Sequence, residues 1–429
     1  MIIREKINIF FFYLLTLIPV FILIGPSVSL IGIILLSFFT FHVIIYQNDF
    51  YFLNSFSIKL FLFLYTYLIF NSYISLDQVI GLKRNLGFLR FILLFIIINY
   101  FFYKKKDADN LFYIWLITII ILIIDICKEY FFGTNIFGWG GPDQPHADRV
   151  VSFFKDEPIA GAYLSGFALL IFGFLLEKLT HRNLLPWIFL LVSLFAILIS
   201  GERSNTLKVF FGFTLMFLFF RFIKIKIKIF ILTFVISFLF LIIVNANYIK
   251  SKFDYNNASY IKTRYIDQFF IHFSSINNLK KFVDDSVYFQ LYRSGLAVFK
   301  NYPVLGVGNK NYRVETCSDV AKNEKFNYYC LTHPHQIYIE LLAEHGIIGS
   351  LIILGVFFSL MFKILKNIIL SKNYIQIGAF CFVIFVFTPF LPSGAFFNDF
   401  NLTILWLNIS IMFACTKETN IFNKKHIKF

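Results

Sequence analysis

The chain has 429 residues and a formal net charge of +15, and it is 59% hydrophobic and 21% aromatic, with a mean hydropathy of +0.75. No ordinary soluble domain sustains that hydropathy. The positive charge does not point to nucleic acid, because most basic residues lie in short loops between apolar runs, where the positive-inside rule puts them.

The apolar runs are continuous rather than alternating and recur along almost the whole length, each long enough to cross about 30 Å of hydrocarbon. That pattern predicts an all-α integral membrane protein, since a barrel strand would alternate. In chain order about twelve spans are expected, the first six over Ile7–Ile24, Ser27–Tyr46, Ile58–Leu76, Gly87–Tyr103, Leu111–Cys127 and Ile159–Leu176. The other six fall at Leu184–Ser200, Leu207–Phe220, Ile229–Val244, Ile347–Leu365, Tyr374–Leu391 and Leu402–Ala414. Met1 to Lys6 followed by an apolar run has the charge order of a signal peptide. No small-residue cleavage site follows, and Pro19, Gly25 and Pro26 lie inside or just after the run, so a retained first helix is expected.

Alternate loops carry the basic residues: Arg4 and Lys6, Lys104 to Lys106, Lys178 and Arg182, Arg221 to Lys228, Lys363 to Lys372, and Lys417, Lys424 and Lys425 in the tail. These share one side only if the span count is even, which makes both termini cytoplasmic. The loop from Gln47 to Ser55 has no basic residue and fits least well. The opposite face then holds Asp77 to Arg90, the Gly- and Pro-rich loop Lys128 to Pro158, the turn Gly201 to Asn205, and Pro392 to Asp399. The largest outer segment, Asn245 to His345, has about a hundred residues and precedes the tenth helix. It is too short and too weakly apolar for an independent enzyme domain, so a partly helical cap on the bundle is expected. Cys127, Cys381 and Cys415 read as small apolar residues of the spans. Cys317 and Cys330 share the long outer loop and are either a disulfide or two free thiols.

Within that loop, Asp284-Asp285 precede a helical stripe of Tyr288, Leu291, Tyr292, Gly295, Leu296 and Phe299, as acidic residues at a helix start should. Arg293 borders the stripe, either as a solvated surface arginine or aimed at an anion. Asn301-Tyr302-Pro303 ends the helix and Leu305 to Gly308 form a turn. The chain returns to the membrane through Thr332-His333-Pro334-His335-Gln336. Pro334 suits the first turn of a helix, which would set His335 and Gln336 among unpaired N–H groups. There the helix dipole disfavours an imidazolium and leaves a neutral base. Eleven residues separate His335 from Gly346, close to three turns, so both should share a helix face; Gly346, Gly349 and Ser350 allow close packing. The bland alternative is a pair of histidines that cap a helix and bind water. A metal site is disfavoured, because His333, His335 and His345 lack a carboxylate or cysteine at zinc spacing.

His335-Gln336, nine residues, Gly346, two residues and Gly349 resemble the signature of the bacterial O-antigen ligase and O-antigen polymerase superfamily. Arg293 followed by Asn301 to Gly308 is similar to that family's segment in its large periplasmic loop, and Ser200-Gly201-Glu202-Arg203 to its Ser-x-x-Arg turn. The resemblance covers roughly Leu184 to Leu365. It divides the chain into an N-terminal six-helix region (1–183), a ligase-like region (184–365) with a periplasmic loop at 245–345, and the last two helices with a cytoplasmic tail (366–429). It implies an enzyme of the bacterial inner membrane that moves a glycan from undecaprenyl diphosphate to a sugar hydroxyl at the periplasmic face. The acceptor is lipid A–core for a ligase and another lipid-linked repeat for a polymerase. No nucleotide, metal or other cofactor is implied, and no nucleic acid. A sugar diphosphate carries an activated leaving group, so a base and charge stabilisation suffice. His335 would be the base, and Arg203 and Arg293 would hold the diphosphate with bidentate forks. Arg84, Arg90 and Arg149 are further candidates for that contact, or interfacial anchors. His333 and Gln336 are candidate substrate contacts, and Glu157 either orients an acceptor or caps its helix.

Other classes fit less well. A lipid-linked glycan transporter would place charge inside its spans and show repeated halves, whereas these spans are nearly free of charge, Asp125 excepted. Asp107-Ala108-Asp109 invites a nucleotide-sugar transferase, but its short cytoplasmic loop leaves no room for a nucleotide fold. Gly133 to Gly141 does not lead into a phosphate loop and reads as an outer-face loop.

Overall fold

A computed structural model describes residues 2–47, 50–104, 108–141, 149–179, 182–220, 224–244, 265, 275–318, 328–370 and 373–423. Among these, all regular structure is helical. The helices are α1 (Ile2–Thr16), α2 (Ile18–Ile24), α3 (Pro26–Gln47), α4 (Phe56–Tyr73), α5 (Gln78–Gly87), α6 (Leu89–Lys104), α7 (Asp109–Phe132), α8 (Ala160–Leu179) and α9 (Leu185–Ile199). They continue as α10 (Arg203–Phe219), α11 (Ile225–Val244), α12 (Ile276–Asp285), α13 (Val287–Asn301), α14 (Tyr312–Thr316), α15 (Ile337–Leu370), α16 (Tyr374–Val386) and α17 (Asp399–Ala414). Each of the expected apolar runs is largely helical, although the helix from Tyr374 stops at Val386 rather than Leu391 and the one from Phe56 at Tyr73 rather than Leu76. Among the described residues six helices are long and apolar enough to cross a membrane, seven if the bent α1–α2 pair is one span, and three shorter apolar helices (α9, α16, α17) accompany them. The protein is therefore a multi-pass membrane protein. Most of the long loop's first part (245–264 and 266–274) lies outside the described residues, as do Lys105, Lys106, Asp107, Arg221, Lys372, Lys424 and Lys425.

The expected first span is two helices meeting at 49°. Pro19 is the cause: it has no N–H to give and its ring excludes the carbonyl four residues back. Carbonyls on both sides of the bend find other donors, Thr16 from the Trp115 indole at 3.0 Å and Pro19 from the Tyr163 hydroxyl at 2.8 Å. These groups belong to the first of two compact units, residues 1–32, 105–278 and 368–386. Its α8 and α16 touch backbone to backbone, since a Cβ on Gly173 would overlap the Tyr374 carbonyl and one on Gly378 the Leu169 carbonyl. Small residues at both crossing points permit this approach, as they do in helix pairs within lipid.

The second unit comprises residues 33–104, 279–367 and 387–429. Here α6 and α17 run parallel: Arg90 pairs with Asp399 at their starts, Phe95 packs on Phe413 further along, and Asn420 just beyond α17 donates to the Asn99 carbonyl. Helices α4 and α15 run antiparallel, with Tyr67 beside His345 near one end and Phe56 under Lys363 near the other. One end of this unit therefore gathers Arg84, Arg90, Asp399 and the start of α15. Lys104 and Lys363 mark the other end.

Candidate active site

The site is organised around a break in α15. Gly346 has φ +61° and ψ −168°, a backbone state open in practice only to glycine. A break leaves carbonyls unpaired before it and N–H groups unpaired after it. The segment Pro303 to Gly308 supplies both sets. Val307 N–H donates to the Ala343 carbonyl at 3.0 Å and Gly308 N–H to that of Glu344 at 2.8 Å. In the other direction, Ile347 N–H donates to Pro303 at 2.9 Å and Ile348 N–H to Val304 at 3.2 Å. Contact this close needs glycine on both strands of the crossing. A Cβ on Gly306 would overlap the backbone of Glu344 and His345, and one on Gly346 the backbone of Val304 and Leu305. The expectation that His335 and Gly346 share one helical face is corrected: His335, at φ +55°, precedes the helix, and Gly346 is where the helix breaks. The two glycine-containing signature pieces are the halves of a single joint.

The joint continues into Asn309-Lys310-Asn311. Asn309 is fully buried; its N–H donates to Asn71 Oδ1 at 2.9 Å and its amide to Asn85 Oδ1 at 2.5 Å. Asn311 Oδ1 accepts from Asp77 N–H at 2.6 Å. Between these two anchors Lys310 is held at φ +61°, and its charge acts on His333, Glu340 and Glu344. The cap predicted for the long loop has a small core of its own here, with Val298, Val307, Tyr312 and Ala343 buried together.

The histidine segment differs from expectation in one respect. Helix α15 begins at Ile337, so Pro334 is not its first residue and His335 lies outside its first turn, at φ +55°. Gln336 explains the late start: its Oε1 accepts from Ile339 N–H at 2.8 Å and its carbonyl from Glu340 N–H at 2.9 Å, which makes it the N-cap. Pro334 instead packs against α13, where Gly295 leaves room for its ring. The His335 carbonyl accepts from Ser393 N–H at 2.8 Å, and its ring meets the Tyr288 ring edge-on at 5.9 Å. The rings of His333 and His335 lie 4.0 Å apart. His333 Nδ1 is 2.9 Å from the Thr332 hydroxyl, and burial, with His335 and Lys310 adding to it, pushes the His333 pKa down to about 3. His333 is therefore neutral near pH 7.

One turn into α15, the buried Glu340 carboxylate accepts from Phe396 N–H through both oxygens at 3.0 Å. It thereby fixes the segment that carries Ser393, the partner of His335, and leads to Asp399. Asp399 Oδ1 receives Arg84 at 2.6 Å and also Arg90. The two guanidiniums keep further donors in the interior: Arg84 Nη2 and Arg90 Nε are buried without a hydrogen-bond partner. The second unit thus brings together His333, His335, Gln336, Arg84 and Arg90. The sequence reading gave no role to Lys310, Glu340, Glu344 or Asp399. A signal for three of them was present, as Asn-Lys-Asn directly after Gly-Val-Gly and as two glutamates one turn apart in an otherwise apolar run.

The remaining predicted residues are placed as follows. Arg293 is exposed on α13 and pairs with Asp284 at 2.8 Å. Asp284 and Asp285 end α12 rather than opening the next helix, whose N-cap is Ser286. Gly349 faces Tyr67, whose hydroxyl lies 3.2 Å from His345 Nδ1. Cys317 and Cys330 are joined by a disulfide. Arg149, Glu157 and Arg203 belong to the first unit, Arg149 half-buried and the other two exposed. There the start of α8 is capped by Glu202 and not by Glu157. Glu202 accepts from Gly161 N–H at 2.5 Å, Ala162 N–H at 3.1 Å and Asn205 at 2.6 Å, while burial pushes its pKa up to about 7. Among the described residues no three His, Cys, Asp or Glu side chains converge as metal ligands would.

No curated protein sequence matches the chain. A family model described as O-antigen ligase matches residues 188–354, a stretch that includes Arg203, Arg293, the Pro303–Gly308 segment, the histidine pair and both motif glycines. The match takes in less than half of the chain, and it shows that this stretch, within an apolar helical architecture, is similar to the O-antigen ligase family.

Proposed function

We propose that this protein transfers a glycan from undecaprenyl diphosphate to a sugar hydroxyl of lipid A–core, at the periplasmic face of a bacterial inner membrane that it crosses about twelve times with both termini cytoplasmic. The observation that carries the reading is the imidazole pair, 4.0 Å apart, at the end of the second unit that also holds Arg84 and Arg90. The opposite end of that unit bears Lys104 and Lys363, which supports its assignment to the cytoplasmic side.

In this mechanism His335 accepts the proton of the acceptor hydroxyl. Two imidazoles in ring contact cannot both be cations, and His333 is kept neutral by burial, so the proton goes to His335. The hydroxyl oxygen attacks the anomeric carbon, the carbon–phosphate oxygen bond breaks, and undecaprenyl diphosphate leaves. Arg203 and Arg293 stabilise the charge on the departing diphosphate, since a guanidinium remains charged and matches phosphate oxygens in pairs. Arg293 must exchange its exposed Asp284 partner for phosphate, a small cost for a solvated ion pair. Arg149, Glu157 and Gln336 are supporting contacts in this reading.

The lipopolysaccharide ladder of a deletion strain tests it. Loss of a ligase leaves polymer on the lipid carrier beside bare core. Single repeats attached to core would instead identify a polymerase, and an unchanged ladder would sink both.

A further inference from the structure

Asp399 is the first residue of α17, and one of its oxygens receives both Arg84 and Arg90. Two guanidiniums offer ten N–H donors, and one carboxylate cannot occupy them. The shortfall is visible in Arg84 Nη2 and Arg90 Nε, both enclosed and lacking an acceptor. Buried donors are rarely left so, because each unmade bond costs more than it would in water. Both cations lean on a single oxygen of Asp399, with the buried Glu344 carboxylate interacting with Arg84 only at longer range and the N-terminus of α17 adding to the positive side. Such a cluster wants more acceptor oxygens than the chain supplies. A phosphoryl group has them, and its geometry suits two forks approaching together. The way in is open at the carboxylate: the Asp399 side chain is 39% exposed, against 17% for Arg84 and 15% for Arg90.

We propose that Arg84 and Arg90 seat a phosphoryl group of the lipid-linked substrate, and that Asp399 fills this seat as a resident counter-ion until that group displaces it. The identification of the ligand rests on the glycan-transfer reading, and the exchange of one anion for another deepens it. Asp399 then keeps the two arginines folded and discharged between turnovers, and it sets how tightly the lipid phosphate is held. The same segment ties the seat to the base: Ser393 holds the His335 carbonyl, Glu340 holds Phe396, and Asp399 follows three residues later.

The test is binding by the full-length protein in lipid nanodiscs, with His335 intact, because a probe that carries no glycan cannot be consumed. It is titrated separately with undecaprenyl diphosphate and with inorganic pyrophosphate. D399N, which keeps the shape but removes the competing charge, is expected to bind undecaprenyl diphosphate about tenfold more tightly, and R90Q about tenfold more weakly. Should D399N not fold, R90K with Asp399 intact is expected to lose affinity through its missing fork. Unchanged or weakened binding in D399N, or unchanged binding in both Arg90 variants, overturns the seat. Pyrophosphate binding that depends on Arg90 while lipid binding does not would assign the cluster to a free anion and overturn the lipid assignment. Because binding is read and not transfer, failure here leaves the role of His335 standing. An H335A strain with a normal ladder would likewise leave the seat standing.

Discussion

Replacing Gly346 by alanine is the most demanding test of the joint. At φ +61° and ψ −168° an L-residue is strained by roughly 1–3 kcal/mol. The added Cβ also overlaps the Val304 carbonyl and the Leu305 amide, which are backbone atoms and cannot swing aside. Relief requires the two segments to part, which weakens up to four capping hydrogen bonds worth about 1 kcal/mol each. The sum, on the order of 3–6 kcal/mol, approaches the whole stability of many proteins, and its middle is roughly a thousandfold in the folded-to-unfolded ratio. Gly355, nine residues later in the same helix, is the control. A Cβ there meets nothing within 4 Å, so G355A should be neutral or stabilise by up to about 1 kcal/mol. Thermal stability of the detergent-solubilised protein, read by fluorescence-detected size exclusion, separates them. If G346A and G355A melt within a degree of each other, the Pro303–Gly308 segment does not bind the break as described.

H335A should abolish glycan transfer while membrane insertion persists; near-normal transfer, assayed by the ladder, removes the base assignment. R293K keeps the charge but loses the fork, so transfer should fall by an order of magnitude or more, and an unchanged rate would leave Arg293 a surface residue held by Asp284. The pH dependence of stability carries a further test. His333 titrates near 3 when folded against about 6.5 unfolded, so between those values the unfolded chain binds more protons and stability falls by a few kcal/mol as pH drops from 6.5 toward 3. Glu202, raised to about 7, acts in the opposite sense, losing stability as pH rises from 4.5 through 7. The difference in melting temperature between wild type and H333N across pH 4–7 isolates the histidine, and parallel curves refute its burial in the neutral form. Removing the Cys317–Cys330 bond, which closes a loop with a sequence separation of 13, should cost about 3 kcal/mol; C317S melting with the wild type would show the bridge idle.

Hydropathy was enough to find every apolar run, because the cost of an exposed backbone in lipid forces each into a helix whatever its neighbours are. It was a poorer guide to where helices stop. The start of α15 depends on whether Gln336 or Pro334 takes the first turn, a choice made by one side-chain hydrogen bond that no periodicity encodes. The kink at Gly346 was hidden for a related reason, since glycine there reads equally as a packing residue and as a backbone requirement. The site was legible where unusual residues cluster in sequence, as at His333 and His335. It was illegible where partners converge from afar: Arg84 and Arg90 meet Asp399 more than three hundred residues away, and Lys310 reaches His333 only because two asparagines hold its backbone.

The plugged break in α15 has a mechanical corollary. Because Pro303 to Gly308 grips the chain on both sides of Gly346, the short forward half of the helix cannot tilt without dragging that strap along. The angle between the two halves is thus set by backbone bonds from one segment to both, across a residue with no side chain of its own.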